Sequence, residues 1–160
     1  MHFTKLPDNT KVWIYLSNRE LSDKEVQLIH SKGNQFIDQW SSHGKPLRSA
    51  FEIFYNLFFV FFVDENEMEA SGCSIDQSLD FVKRLEEEFG LSLLNRKLVA
   101  LRDNGHIIIK DIDSFSYGIE SADLQKILLF NTFVTTKAEL LNNFEIPLSN
   151  SWLGKILNPL

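Results

Sequence analysis

Seven consecutive apolar residues, Leu57-Phe58-Phe59-Val60-Phe61-Phe62-Val63, run into Asp64 and constrain this chain's fold more than any other feature. The run is far short of the about 18 apolar residues of a membrane helix, so membrane insertion is not expected. Its β-branched and aromatic content reads as a strand, and a strand with one wet face would alternate apolar and polar residues. This one does not alternate, so two separate layers must close on it.

Material for those layers is present. The chain has 160 residues, 44% of them apolar, and at that length a single domain over 1–160 burying about two thirds of its unfolded surface is expected. Six of the 14 phenylalanines, Phe51, Phe54, Phe58, Phe59, Phe61 and Phe62, fall in one short stretch, so the apolar surplus is local. The net charge of −6 lacks the basic footprint of a phosphate-neutralising surface, and no nucleic-acid partner is expected. A lone cysteine, Cys73, forms no internal disulfide, and residues 1–8 hold no signal-peptide core; both favour the cytoplasm. Residues 1–10 are the one stretch read as disordered.

Val12-Trp13-Ile14-Tyr15-Leu16 reads as a first strand covered on both faces. Ser22 and Glu25 form a capping box, with Leu21 and Val26 as its staple, and open a helix whose stripe is Val26, Ile29, Gly33, Phe36, Ile37 and Trp40. Gly33 in that stripe predicts a close backbone approach, and Gly44 is its expected stop. A hairpin follows, from Phe51-Glu52-Ile53-Phe54 through a Tyr55-Asn56 turn into the apolar run. Ser74 and Gln77 read as the box of a second helix with the stripe Ile75, Leu79, Val82, Leu85 and Phe89, ended by Gly90. Asp103-Asn104-Gly105 is a hairpin turn between strands at 97–101 and 107–109.

The order up to residue 101 is thus β-α-β-β-α-β, and the expectation is an α+β, ferredoxin-like βαββαβ core over 11–101. An extra β-hairpin and a C-terminal helical extension over 102–160 are expected to pack on the sheet, in the same subunit or across a dimer. Within the extension, a short helix from Ser121 through Leu124, Ile127, Leu128 and Phe130 is read, then an extended piece at 131–135. Thr136 and Glu139 read as a third capping box, opening a brief helix that Pro147 closes; Trp152, Leu153 and Ile156 form an apolar tail.

Cys73 is the most suggestive single residue. It stands between Gly72 and Ser74 at a helix start, where free amides and the helix dipole favour a thiolate or a bound anion. Gly72, Cys73 and Ser74 are therefore candidate anion ligands, and Cys73, His43 and Asp76 candidate catalytic residues, with His106 a further base. The bland reading is a small apolar residue buried at a turn, as free cysteines commonly are. Asp64-Glu65 after a strand resembles a magnesium-holding acid pair, but the companion phosphate loop is missing: Gly44-Lys45 runs into Pro46 and Gly154-Lys155 into Ile156. Asp64, Glu65, Glu67 and Glu69 fail the calcium-loop spacing at Met68 and read as a solvated acidic turn. His2, His30, His43 and His106 show no zinc spacing, and Glu86-Glu87-Glu88 reads as a solvent face. No metal and no cofactor is expected.

Several strings taken together resemble a family: Val12-Trp13-Ile14-Tyr15 with Ser17-Asn18-Arg19, Trp40 before His43-Gly44, Phe51-Glu52-Ile53 with Tyr55-Asn56, Phe62-Val63-Asp64-Glu65, Gly72-Cys73-Ser74-Ile75-Asp76, and 134–140 before Pro147 and Ser151-Trp152. They are similar to small uncharacterised bacterial proteins carried under the label "ABC transporter ATPase". The resemblance spans nearly the whole chain and implies a shared fold. The label would imply ATP hydrolysis, which a chain of this size without a phosphate loop or a Ser-Gly-Gly signature does not support. The function expected from the residues is a non-enzymatic binding domain for a protein or small ligand, self-associating through its sheet or tail. Its rival is a small enzyme or anion-binding protein using Gly72-Cys73-Ser74 with His43 and Asp76.

Overall fold

A computed structural model describes residues 1–117 and 125–157. They form a mixed α+β structure with three antiparallel sheets and four α-helices among the described residues. In chain order these are β1 (Lys11–Leu16), α1 (Asp23–Gln39), β2 (Ser41–Ser42), β3 (Lys45–Pro46), β4 (Arg48–Phe54), β5 (Phe58–Asp64) and α2 (Gly72–Phe89). Then come β6 (Leu98–Asp103), β7 (His106–Asp111), β8 (Leu128–Phe130), α3 (Lys137–Asn143), β9 (Glu145–Pro147) and α4 (Trp152–Leu157).

The apolar run is the centre of the first sheet, whose order is β1-β5-β4. Every side chain from Phe58 to Val63 is fully buried, and the pleat divides them between two layers. Phe59, Phe61 and Val63 meet Ile29, Ile37 and Trp40 from the α1 side and Phe81, Val82 and Leu85 from α2. Phe58, Val60 and Phe62 meet Ala100, Phe130, Val134, Leu140 and Phe144. The second layer therefore comes from the same chain.

That layer is built around a second sheet of order β7-β6-β8-β9. Asn104 and Gly105 both take positive φ in the β6–β7 turn, as do Tyr55 and Asn56 between β4 and β5; both hairpins thus have the backbone that a two-residue connection requires. The ferredoxin-like expectation put strand 97–101 beside β1. Instead β6 pairs with β7 and β8, because its residues serve two cores at once: Ala100 faces the first sheet, while Val99 and Leu101 pack with Leu148 and Leu153. Only the first three strands of the expected sheet share one sheet.

Other expectations need correction. Leu128–Phe130 is strand, not helix, since Leu129 pairs with Leu101 on one side and Ile146 on the other; the proposed start of that helix at Ser121 lies outside the described residues. Residues 1–10 are held rather than loose. Phe3 stacks on Phe62 at 4.9 Å, Leu6 is buried, and the buried Lys137 donates from Nζ to the Leu6 carbonyl at 2.6 Å. Helix α1 ends at Trp40, and His43-Gly44 forms the turn between β2 and β3. Helix α2 starts earlier than expected: Ser71 is its cap, accepting from the Ser74 amide and donating its own amide to the Ser74 hydroxyl. Gly90, left-handed, ends it as expected.

The ends of the two long helices are tied by one side chain. Arg19 donates to both carboxylate oxygens of Glu25, at 3.0 and 2.8 Å, and to the Phe89 carbonyl at 2.9 Å. The Arg19 guanidinium, then the Ser22 amide, bring the Glu25 carboxyl down from 4.5 to about 2. A carboxyl depressed in the folded state contributes stability that is present above its unfolded value and lost as pH falls through its folded one. The urea midpoint of the native chain is expected to fall between pH 4.5 and pH 2 more steeply than that of Glu25→Gln. Parallel curves for the two proteins across that window would contradict the role of this pair.

Candidate functional site

Among the described residues β1 has a strand partner on one side only, with a single bridge at Lys11 on the other. Its β5 register runs from Lys11 opposite Val63 to Leu16 opposite Phe58. The Ser17 amide donates to the Leu57 carbonyl and the Val12 amide to the Thr135 carbonyl. Antiparallel pairing alternates the direction of backbone groups, so the N–H and C=O of Val12, Ile14 and Leu16 point away from β5. Lys11 bridges Thr136 at one end of this edge, and the Asn18 amide donates to the Ser92 carbonyl, 3.1 Å, at the other. Between those ends no strand pairs with Ile14 or Leu16 among the described residues.

A cavity of about 340 Å³ follows this open edge. One wall is Leu79 of α2 with Leu93, Leu94, Asn95 and Arg96; the other is Leu98 with Thr132, Phe133, Val134 and Thr135. Both walls are pinned. The Glu86 carboxylate accepts from the amides of Leu93 and Leu94 at 2.8 and 3.3 Å, and Asn18 Oδ1 accepts from the Ser92 amide at 2.8 Å. Opposite them, Asn131 Oδ1 accepts from the Phe133 amide at 3.1 Å, and the Glu139 carboxylate accepts from the Thr135 amide at 3.0 Å. A preformed, mostly apolar cleft with few polar groups is the usual character of a binding site.

Two side chains give the groove its chemistry. Phe133 is 62% exposed, and its ring meets Trp152 edge-on at 5.3 Å. Arg96 makes no ion pair among the described residues, and its charge is felt at Tyr15: burial pushes that phenol up, and the guanidinium pulls it partly back.

The residues singled out from sequence are placed elsewhere or used otherwise. Cys73 is exposed, not the buried apolar residue of the bland reading. Among the described residues no hydrogen bond joins it to His43, itself exposed in the β2–β3 turn, or to Asp76. Of the three anion-ligand candidates, Ser74 is fully buried, donating its hydroxyl to the Ser41 carbonyl at 2.7 Å while its amide is held by Ser71. Its carbonyl accepts from Trp40 Nε1 at 2.8 Å. This first turn is thus a fastening between α2 and the end of α1. The Asp64-Glu65 pair is likewise committed: Asp64 is buried, accepts from the Asn66 amide and side chain and pairs with Arg48, while Glu65 takes Lys11 at 2.8 Å and the Ala70 amide. His30 sits between Asn34 and Glu52. No group of three or more potential metal ligands occurs among the described residues.

A larger furrow of about 540 Å³ separates α1 from α2. Lys32 and Glu88 close an ion pair there at 3.1 Å, and its floor is the Phe36–Phe81 stack. Helices satisfy their own backbone, so the furrow leaves no main-chain group for a ligand to pair. Arg96, Phe133 and Leu79 as a set escape sequence reasoning. One signal is visible: Ile75 and Leu79 extend the apolar stripe of α2, yet Ile75 is 43% exposed and Leu79 lines the groove rather than the core.

Comparison with protein-family models, with curated proteins and with solved structures finds no match.

Proposed function

We propose that this chain is a non-enzymatic binding domain whose recognition surface is the groove along the open edge of β1. The observation that carries the reading is the coincidence of strand backbone at Ile14 and Leu16, unpaired among the described residues, with a preformed apolar cavity. In the ferredoxin-like reading, β1, α1, β4, β5 and α2 would stand for the first five elements of the βαββαβ unit, and the groove would lie beside β1 where a closing strand is expected. Face-to-face self-association through the sheet loses its warrant, because Ala100, Phe130, Val134, Leu140 and Phe144 already pack on the second face. A catalytic reading built on Cys73, His43 and Asp76 has no hydrogen bond among the three to support it.

The groove is tested with an environment-sensitive apolar dye, anilinonaphthalene sulfonate. Uptake by the native protein is expected to weaken about tenfold, or about 1.4 kcal/mol, in Leu79→Glu and in Phe133→Ala. Leu28→Glu, at an exposed site on α1, is the control and should leave it unchanged. Far-ultraviolet circular dichroism confirms that each variant is folded, and equal uptake by all four proteins would overturn the proposal.

A further inference from the structure

Resting on the reading of the groove as a binding surface, we infer that its occupant is an extended peptide segment of a partner protein. It would add to β1 as a fourth strand and place a carboxylate against Arg96. The backbone argues for a peptide over a compact small molecule. Ile14 and Leu16 present N–H and C=O groups at a sheet edge, and the partner that satisfies such a row in register is another extended main chain. The ends of the slot are already closed by Thr135 on Val12 and by Ser92 on Asn18, so the free edge accepts about four to six residues at about 3.3 Å each.

The walls specify what those residues carry. In an added strand, alternate side chains point to opposite faces. One set would meet Leu79, Leu93 and Leu94, and the other Ile14, Leu98 and Val134, so apolar residues are favoured on both faces. Arg96 is a cation without an ion-pair partner among the described residues, on a protein of net charge −6. The charge complementarity of the slot is therefore local and calls for an acidic side chain or a terminal carboxylate at that end. A second copy of this chain fits less well. Each β1 edge lies between two walls, and edge-to-edge pairing would drive the 93–96 wall of one copy into its counterpart on the other.

The test is selection on the full chain from a displayed library of random peptides, followed by synthesis of the recovered sequences. The expected binders are apolar with an acidic residue. Their binding is expected to slow hydrogen exchange at the Ile14 and Leu16 amides, to weaken about tenfold on N-methylation of the pairing residues, and to weaken by a similar factor in Arg96→Glu. Recovery of no peptide overturns strand addition, as does retention of affinity after N-methylation. If either occurs while dye uptake still depends on Leu79, the groove stands as a binding surface and only the peptide reading falls. If dye uptake is indifferent to Leu79, the groove itself is not the site. Concentration-dependent protection of the Ile14 and Leu16 amides in the protein alone would assign the edge to a second copy and overturn the proposal.

Discussion

Replacing Phe61 with alanine is expected to lower the free energy of unfolding by about 3–5 kcal/mol. Phe61 is fully buried at the centre of β5. Its ring lies 5.1 Å from that of Phe51 and 5.9 Å from those of Tyr15, Phe36 and Trp40, with Phe81 at 6.2 Å. One side chain thus joins both neighbouring strands to both long helices. Truncation removes the transfer free energy of the ring and leaves a hole that stiff aromatic neighbours fill poorly. Domains of this size have about 5–15 kcal/mol in total, so the variant should unfold at much lower urea, or fail to fold at 37 °C. Phe61→Leu, which keeps most of the volume, should retain the larger part of the stability. A loss below about 1 kcal/mol in the alanine variant would mean that this cluster does not hold the layers together.

Gly33→Ala is expected to destabilise by about 2 kcal/mol, the middle of the range for overpacking. The sign is informative, because helix propensity alone would make alanine the better residue by about 1 kcal/mol. A Cβ on Gly33 would stand 2.0 Å from Phe51 Cδ1 and 2.4 Å from Cε1. The Phe51 ring has little room to yield: it is 2% exposed and packed on Phe59, Phe61 and Phe81. Helix α1 would have to lift from β4. Combining Gly33→Ala with Phe51→Leu should cost less than the sum of the two single changes, since the leucine removes the ring the new methyl strikes. Urea unfolding of the four proteins measures this coupling; stabilisation by Gly33→Ala would show that α1 does not approach β4 this closely.

Local features were readable because local chemistry decides them. Ser22 and Glu25 cap α1 as a reciprocal pair, Gly90 ends α2 in the left-handed conformation, and Asn104-Gly105 turns β6 into β7; each depends on residues only a few positions apart. The misplaced start of α2 is instructive. Ser71 and Ser74 satisfy one another, and the choice between Ser71 and Ser74 as the cap turns on the Ser41 carbonyl, 33 residues away in sequence, which takes the Ser74 hydroxyl. That contact also removed Ser74 from the anion-binding candidates. Glu86, read as part of a solvent face, accepts from two loop amides, a role invisible in helical periodicity.

The candidate site was the least legible part, for a related reason. Its components are Tyr15, Leu79, Arg96 and Phe133, drawn from four separate elements or connections, and none carries a motif. Its defining property is a set of backbone groups that lack a strand among the described residues, and side-chain sequence does not encode which edge stays open. Cys73, by contrast, has its suggestive neighbours beside it in the chain, yet it stands exposed with no base hydrogen-bonded to it among the described residues.

By itself the apolar run from Leu57 to Val63 determined that β5 would be central and that both of its faces would be covered, because no other arrangement keeps seven apolar side chains from water. It left open what would cover them. Tertiary structure decided that, by sending β6 across the second face, where Ala100 could face the first sheet while Val99 and Leu101 met Leu148 and Leu153. A strand apolar on both sides can close either a sheet edge or a second layer, and burial of its two faces favoured the layer. For the same reason, the edge of β1 has no strand neighbour at Ile14 and Leu16 among the described residues.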